Sequence, residues 1–279
     1  MTYRVVIVGA GFGGIGMAIA LKQAGIDDFL VLDRAADLGG TWRDNTYPGL
    51  SCDVPSLLYS FSFRPWRWSR RFPPRAEILS YLHALVAEYS LGPHLRFNSA
   101  VTAAEFDPRR AAWSIALEDG ESLEATALVC AVGQLGRPAL PDIAGRDSFA
   151  GPSWHSGQWN HDVDLTGKRV AVIGTGASAI QFVPEIAKAA GHVDVYQRSA
   201  PYVLPKADRP YRPASRRYLT GCPRCARPTG SASSSTGSCS PAASSCRRSC
   251  SPGRCSSGAA SSTRRSPTPG CGPSASPTT

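Results

Sequence analysis

The chain has 279 residues, 30 Lys and Arg against 21 Asp and Glu, and a formal net charge of +9, enough for one large or two modest cores. The excess charge is local: from Arg209 onward there are 11 arginines and no Lys, Asp or Glu, leaving 19 basic and 21 acidic residues before it and a body charge of −2. That distribution argues against a nucleic-acid-binding body, and no apolar run approaches the roughly 20 residues of a membrane span.

Arg4 to Val8 read as a short apolar strand, Gly9, Gly11 and Gly14 complete GxGxxG, and Ile15 to Ala24 form an amphipathic run. The first glycine permits a tight turn, the second lets backbone approach a pyrophosphate, and the third lets helix and strand pack closely. The helix N-terminus then offers unpaired N–H groups to phosphates. Asp27 and Asp28 turn the chain into a second strand, Phe29 to Leu32, whose end carries Asp33 and Arg34. A carboxylate there accepts hydrogen bonds from ribose hydroxyls, so Asp33 suits an unphosphorylated ribose such as that of FAD or NAD.

A glycine- and aromatic-rich loop, Gly39 to Pro74, is long enough to imply a function. Its run from Tyr59 to Phe72, with Trp66, Trp68, Arg70 and Arg71, fits aromatic packing beside a cofactor better than a base-stacking strip. Pro74 opens a helix with one buried face, through Ile78, Leu79, Leu82, Leu85 and Val86. Strands at Val101 to Phe106 and Trp113 to Leu117, an Asp119-Gly120 turn and Leu123 to Val132 make a meander, and Gly133 to Pro141 an exit linker.

The strand-turn-helix unit then recurs. Val170 to Ile173 are the strand, Gly174, Gly176 and Ala179 complete GxGxxA around Ala177 and Ser178, and Ile180 to Ala190 are the helix. Counting 24 residues on from the first glycine reaches Asp33 in one copy and Arg198 in the other. A guanidinium at that place, helped by Ser199, pairs with a 2′-phosphate and so favours NADP.

After Pro213 the periodicity stops, and Tyr218 and Leu219 are the last large apolar residues. Such a segment buries too little surface to offset an ordering cost of roughly 1–2 kcal/mol per residue, so disorder is expected. Its Arg, Pro, Ala, Gly, Ser, Thr and Cys content is what GC-rich DNA encodes out of frame, which suggests a frameshift between Pro205 and Leu219. Seven of the nine cysteines lie there; Cys222 and Cys225 have zinc-like spacing, but no second pair and no histidine follow, so no metal site is expected. Cys52 and Cys130, isolated in a body without a secretory leader, fit a cytoplasmic location, and Cys52 lacks the partner a disulfide reductase needs.

The expected fold class is α/β: two Rossmann-like dinucleotide-binding domains, the first for FAD or NAD and a partial second for NADP, with an antiparallel meander insert and a disordered C-terminal tail. The expected boundaries are 1–140, 141–213 and 214–279.

Gly39-Gly40-Thr41-Trp42 through Tyr47-Pro48-Gly49 to Asp53 follows [AG]GxWxxxx[FY]P[GM]xxxD at every specified position, and Phe149, Gly151, His155 and Trp159 follow FxGxxxHxxxW. In these motifs the chain, over residues 1 to about 205, resembles the Baeyer–Villiger monooxygenases of the class B flavin monooxygenases. Trp159 stands where related N- and S-oxidising enzymes usually have Tyr or Phe, and Asn160 departs from the usual Pro or Asp. The resemblance implies an FAD-containing, NADPH-dependent oxygenase that inserts one atom of dioxygen into a ketone, giving an ester or lactone. It implies that Gly40, Thr41, Trp42 and Tyr47 line the FAD site and that Asp53 is the catalytic polar partner near the flavin ring. It places Phe149, Gly151, His155 and Trp159 at the junction of the nucleotide domains, with His155 coupling their motion. The family's arginine beside the flavin lies well beyond the second glycine motif and has no counterpart here, so this chain is expected to be an inactive fragment. A small ketone and dioxygen are the expected partners, with no nucleic acid and no membrane. An N- or S-oxidising monooxygenase and a non-catalytic nucleotide-binding fragment with a basic tail remain the alternatives.

Overall fold

A computed structural model of the chain describes residues 2–202 and 204–212. β1 (Thr2–Val8) buries Val5, Val6 and Ile7 in succession, and β2 (Phe29–Leu32) buries all four of its residues. Strands that are apolar on both sides need cover on both faces of their sheet, as parallel sheets have. The pleat divides them: Val5, Ile7, Phe29 and Val31 enter one core, while Val6, Leu30 and Leu32 enter another.

The first core is filled by α1 (Phe12–Gln23) and α3 (Arg75–Glu88). Ile15, Ala18 and Ile19 of α1, and Ile78, Tyr81, Leu82 and Leu85 of α3, recur at helical spacing and are each at most 1% exposed. Burying each large side chain of this set stabilises the fold by about 1.5–3 kcal/mol.

The sheet has six strands in the order β3-β2-β1-β6-β5-β4. β3 (Leu95–Arg96) and β6 (Ser122–Cys130) extend the parallel part, while β5 (Ala112–Leu117) and β4 (Val101–Asp107) run antiparallel beyond β6. The meander expected as an insert is therefore continuous with the parallel sheet, because β6 belongs to both. Glu124 and Ala125 pair with Thr2 and Tyr3 on one side and with Ser114 and Trp113 on the other. Ile115, Leu117, Leu123 and Ala125 then close the second core over Val6, Leu30 and Leu32.

A second, two-stranded parallel sheet joins β7 (Arg169–Ile173) to β8 (His192–Tyr196) through α4 (Ala179–Ile186). The helix is shorter than its apolar pattern predicts. Beyond Ile186 the bonds tighten, with the amides of Lys188 and Ala189 donating to Glu185 and Ile186 at 3.3 and 3.1 Å. The chain then turns at Gly191, where a Cβ would lie 2.6 Å from the Gly167 carbonyl oxygen. Val172, Ala179, Phe182 and Ile186 are buried, but Ile173 and Val195 are exposed among the described residues.

Residues 206–212 return to the first body. The Arg71 amide donates to Arg209 at 3.0 Å, the Tyr211 amide donates to Ser69 at 2.8 Å, and Arg70 pairs with Asp208 at 2.6 Å. Tyr211 packs on the first core, so specific structure runs as far as Arg212. The described residues lie in one compact unit, 1–228. The expected disordered tail, 214–279, and its Cys222 and Cys225 pair lie outside them. Among the described residues no helix is long and apolar enough to cross a membrane.

Ile7 and Ile173 are the same residue type in the two repeated strands but differ in cover. Ile7→Ala should lower the unfolding free energy by about 2–5 kcal/mol, and Ile173→Ala, at a side chain 64% exposed, by less than about 1 kcal/mol. Urea unfolding followed by circular dichroism measures both; equal losses would mean that Ile173 is covered.

Candidate functional site

Gly9 takes φ +108°, which a side chain would strain, and its amide donates to the Leu32 carbonyl at 2.7 Å. A Cβ on Gly14 would lie 1.8 Å from the Gly9 oxygen, so only glycine lets α1 rest on the turn this closely. Gly11 is the N-cap of α1, and no side chain caps that end, which leaves first-turn N–H groups for an anion. A second glycine pair closes over the turn. The Gly39 amide donates to the Ala10 oxygen at 2.9 Å, and a Cβ on Gly40 would meet Gly11 Cα at 3.3 Å.

Asp33 follows β2, is 7% exposed, and faces this turn. It accepts the Ala10 amide at 2.8 Å, the Ala35 amide at 3.0 Å and Arg43 Nη1 at 2.9 Å. Arg34 points elsewhere, to the Gly136 carbonyl at 3.1 Å, and its guanidinium lies 3.7 Å from Asp44. Thr41 and Trp42 begin the short helix α2 (Thr41–Asp44). Trp42 is buried in the first core and donates Nε1 to the Tyr59 hydroxyl at 2.9 Å.

From α2 the loop leaves the first body for the second. Tyr47 is buried in the core of the β7-β8 unit, 6.0 Å from the Phe182 ring, with its hydroxyl bonded to Ser178. The Ser51 amide donates to Gln181 Oε1 at 2.9 Å, and a Cβ on Gly49 would lie 2.7 Å from the Gln181 carbonyl oxygen. Trp159 packs on the same Phe182 at 5.1 Å, and His161 bonds Thr46 at 2.7 Å. His155 caps the short turn Ser156–Gln158, its Nδ1 accepting the Gly157 amide at 3.0 Å. Phe149 does not join this cluster; it is exposed and lies against Gly151.

Asp53 is exposed, and no described residue donates a hydrogen bond to its carboxylate. Its neighbours are Tyr47, Cys52 and Tyr59, whose ionisation is pushed up chiefly by burial and further by the Asp53 charge. Cys52 and Cys130 are both free thiols. Among the described residues no group of His, Cys, Asp and Glu could hold a metal. A cavity of about 350 Å³ lies on the meander, lined among others by Phe106, Arg110, Trp113 and Glu124, and includes none of these site residues.

The second turn repeats the first. Gly174 has φ +102°, its amide donates to the Tyr196 carbonyl at 2.9 Å, and the Ile180 amide donates to Gly176 at 3.2 Å. Ala177 and Ser178 lie between that glycine and α4. The register shifts the equivalence drawn by counting: Tyr196 stands where Leu32 stands, so Gln197 matches Asp33 and Arg198 matches Arg34. The second connection is one residue shorter, which counting from the glycine does not see. Arg198 and Ser199 are exposed, and neither bonds any described residue. A Cβ on Gly174 would meet nothing, whereas one on Gly9 would meet the Ala131 oxygen, beyond β6, at 2.4 Å.

Arg43, Arg75 and Gln181 escaped the sequence reading. Arg43 sits at an unspecified position of the loop pattern, flanked in sequence by Asp33, Asp37 and Asp44, and that acid cluster is the signal that marks it. Arg75 bonds the carbonyls of Trp42 and Arg43 at 2.7 and 3.0 Å from thirty-odd residues away, which no local pattern shows.

The family described as pyridine nucleotide-disulphide oxidoreductase matches residues 6–220. A Baeyer–Villiger monooxygenase of Streptomyces coelicolor is 48% identical over 214 residues, 76% of this chain and 41% of the relative. A solved steroid monooxygenase bound to NADP superposes with a TM-score of 0.72 at 38% identity, over 79% of this chain and 43% of that one. The structure of OTEMO in complex with FAD and NADP gives a TM-score of 0.73 at 35% identity, over 78% and 43%. The chain thus spans about two fifths of the length of the proteins it matches.

The shifted groups make stability depend on alkali. Cys52, with an ordinary value of 9.0, and Tyr47, Tyr59 and Tyr81, with 10.0, all ionise at higher pH in the folded chain. Their contribution is full below pH 9 and is lost as pH rises from the unfolded values through the folded ones. Urea midpoints should hold between pH 7 and about 8.5 and fall steadily above about pH 9; a midpoint rising through that window would contradict the burial of these groups.

Proposed function

The chain belongs to the pyridine nucleotide-disulphide oxidoreductase family, with Baeyer–Villiger monooxygenases among its relatives, and from that premise we propose that it is the FAD-binding half and part of the NADP-binding half of a ketone monooxygenase. The observation that carries this is one loop, Gly39 to Asp53, which closes over the first glycine turn at one end and is buried against the helix of the second at the other. Residues 1–140 form the FAD domain and 141–213 the partial NADP domain, of which 206–212 pack back on the FAD side.

The residues of the first turn fit a dinucleotide. A Cβ would fill the cradle at Gly9 and Gly14, the α1 terminus is uncapped, and Asp33 faces the Ala10 amide. Gly11 and Gly40 let backbone approach the diphosphate, and Asp33 accepts a ribose hydroxyl. Bound FAD and NADPH would supply hydride transfer and the activation of dioxygen. Trp42, Tyr47 and Tyr59 exclude water beside the ring, and exposed Asp53 is the polar group free to face it. Arg198 and Ser199, without other partners among the described residues, take the 2′-phosphate. Gln197 in the place of Asp33 keeps a carboxylate away from that phosphate. His155 and Trp159 hold the joint between the domains. The two free body thiols suit a reducing cytoplasm.

The second sheet has two strands among the described residues, and its apolar Ile173 and Val195 lack cover. With that second sheet uncovered among the described residues, we read the chain as binding coenzyme without turnover.

The full chain should bind FAD in a 1:1 ratio, read by flavin fluorescence, and absence of binding would overturn the reading. Arg198→Ala should weaken NADPH about ten- to hundredfold while leaving NADH nearly unchanged; equal losses would refute the phosphate assignment. Ester formed stoichiometrically from a ketone, NADPH and dioxygen would disprove the absence of turnover. A sulfoxide or N-oxide as the main product of a full-length relative would move the reading to heteroatom oxygenation.

A further inference from the structure

Asp33 offers about four acceptor positions, two on each carboxylate oxygen, and the fold occupies three of them. Oδ1 takes the Ala35 amide at 3.0 Å and Arg43 Nη1 at 2.9 Å, which fills it. Oδ2 takes the Ala10 amide at 2.8 Å and keeps one position open. Arg43 is held in turn from three directions. Its Nε bonds Asp44 Oδ1 at 2.8 Å, its Nη1 also donates to the Asp37 carbonyl, and Arg75 fixes its own carbonyl at 3.0 Å from α3. The guanidinium is 16% exposed and spans two carboxylates, a geometry that a planar fork provides and an ammonium does not.

We propose that Arg43 is a positioning residue for the adenosine ribose of FAD: by filling Asp33 Oδ1 it leaves Oδ2, beside the Ala10 amide, as the single acceptor for one ribose hydroxyl. This rests on the FAD reading above. Without Arg43, a carboxylate that is 7% exposed would lose the cation that fixes its orientation. It would then be free to rotate away from the turn, and Asp37 and Asp44 would add uncompensated negative charge close to where the diphosphate lies. The predicted loss therefore falls on the adenylate half of FAD and spares the flavin half.

FMN, which lacks the adenylate, separates the two halves. The full chain and its Arg43→Ala and Arg43→Lys variants are titrated with FAD and with FMN by flavin fluorescence. Arg43→Ala should weaken FAD about ten- to hundredfold and change FMN by less than about twofold, while Arg43→Lys recovers only part of the loss. An equal loss of both flavins, or no change in the FAD-to-FMN ratio, overturns the proposal. If Arg43→Ala fails to fold, the ratio in Arg43→Lys decides by itself: a fall of several-fold supports the proposal and an unchanged ratio overturns it. Failure of the unsubstituted chain to bind FAD would sink the functional reading itself, a result distinct from either.

Discussion

The site depends on a backbone approach that no side chain permits. With 1.8 Å between a would-be Cβ of Gly14 and the oxygen of Gly9, α1 lies directly on the turn that precedes it. That contact sets the height of the helix terminus, and with it the position of Ala10. Two further elements are registered to Ala10: Asp33 through the amide, and the Gly39-Gly40 pair through the carbonyl. Moving the helix outward by one methyl group would part all three.

The loop from Gly39 to Asp53 carries this geometry into the second repeat. Its first half is core to the first body, where Trp42 is buried and bonded to Tyr59; its second half is core to the other, where Tyr47 meets Phe182 and Ser178. A loop buried at both ends resists independent movement of the two turns, since shifting either would open a cavity around a buried aromatic ring. His161 adds a second tie to the loop nearby by bonding Thr46, while Trp159 packs on Phe182 and His155 caps its own turn.

The two repeats share their turn and differ in their surroundings. β1 is flanked on both edges and covered on both faces, so three successive apolar residues are buried; β7 has one partner among the described residues and buries only Val172. The local sequence of each strand is equally apolar. The difference lies in how much chain stands around it among the described residues, and a relative nearly twice this length has more to place there.

The glycine turns, the strands and helices flanking them, and the acid at the end of β2 were legible in the sequence, because each follows from local stereochemistry and from periodicity along a few residues. The fingerprint loop was legible as a motif, but its geometry was not. That Tyr47 belongs to the second core, that Arg43 divides its guanidinium between Asp33 and Asp44, and that Arg75 and Gln181 hold the loop in place are contacts across tens of residues, and no pattern of spacing encodes them. The meander showed the same limit, since its strands were readable but their continuity with the parallel sheet through β6 was not. Counting set Arg198 opposite Asp33, whereas strand pairing put Gln197 there, because register is decided by which carbonyl receives the glycine amide. The sequence alone therefore determined which chemistry is present, two glycine turns between strand and helix, one with an acid and the other with an arginine near the end of its following strand. Only the tertiary structure decided which groups of that chemistry are already engaged by the protein and which stay open to a ligand.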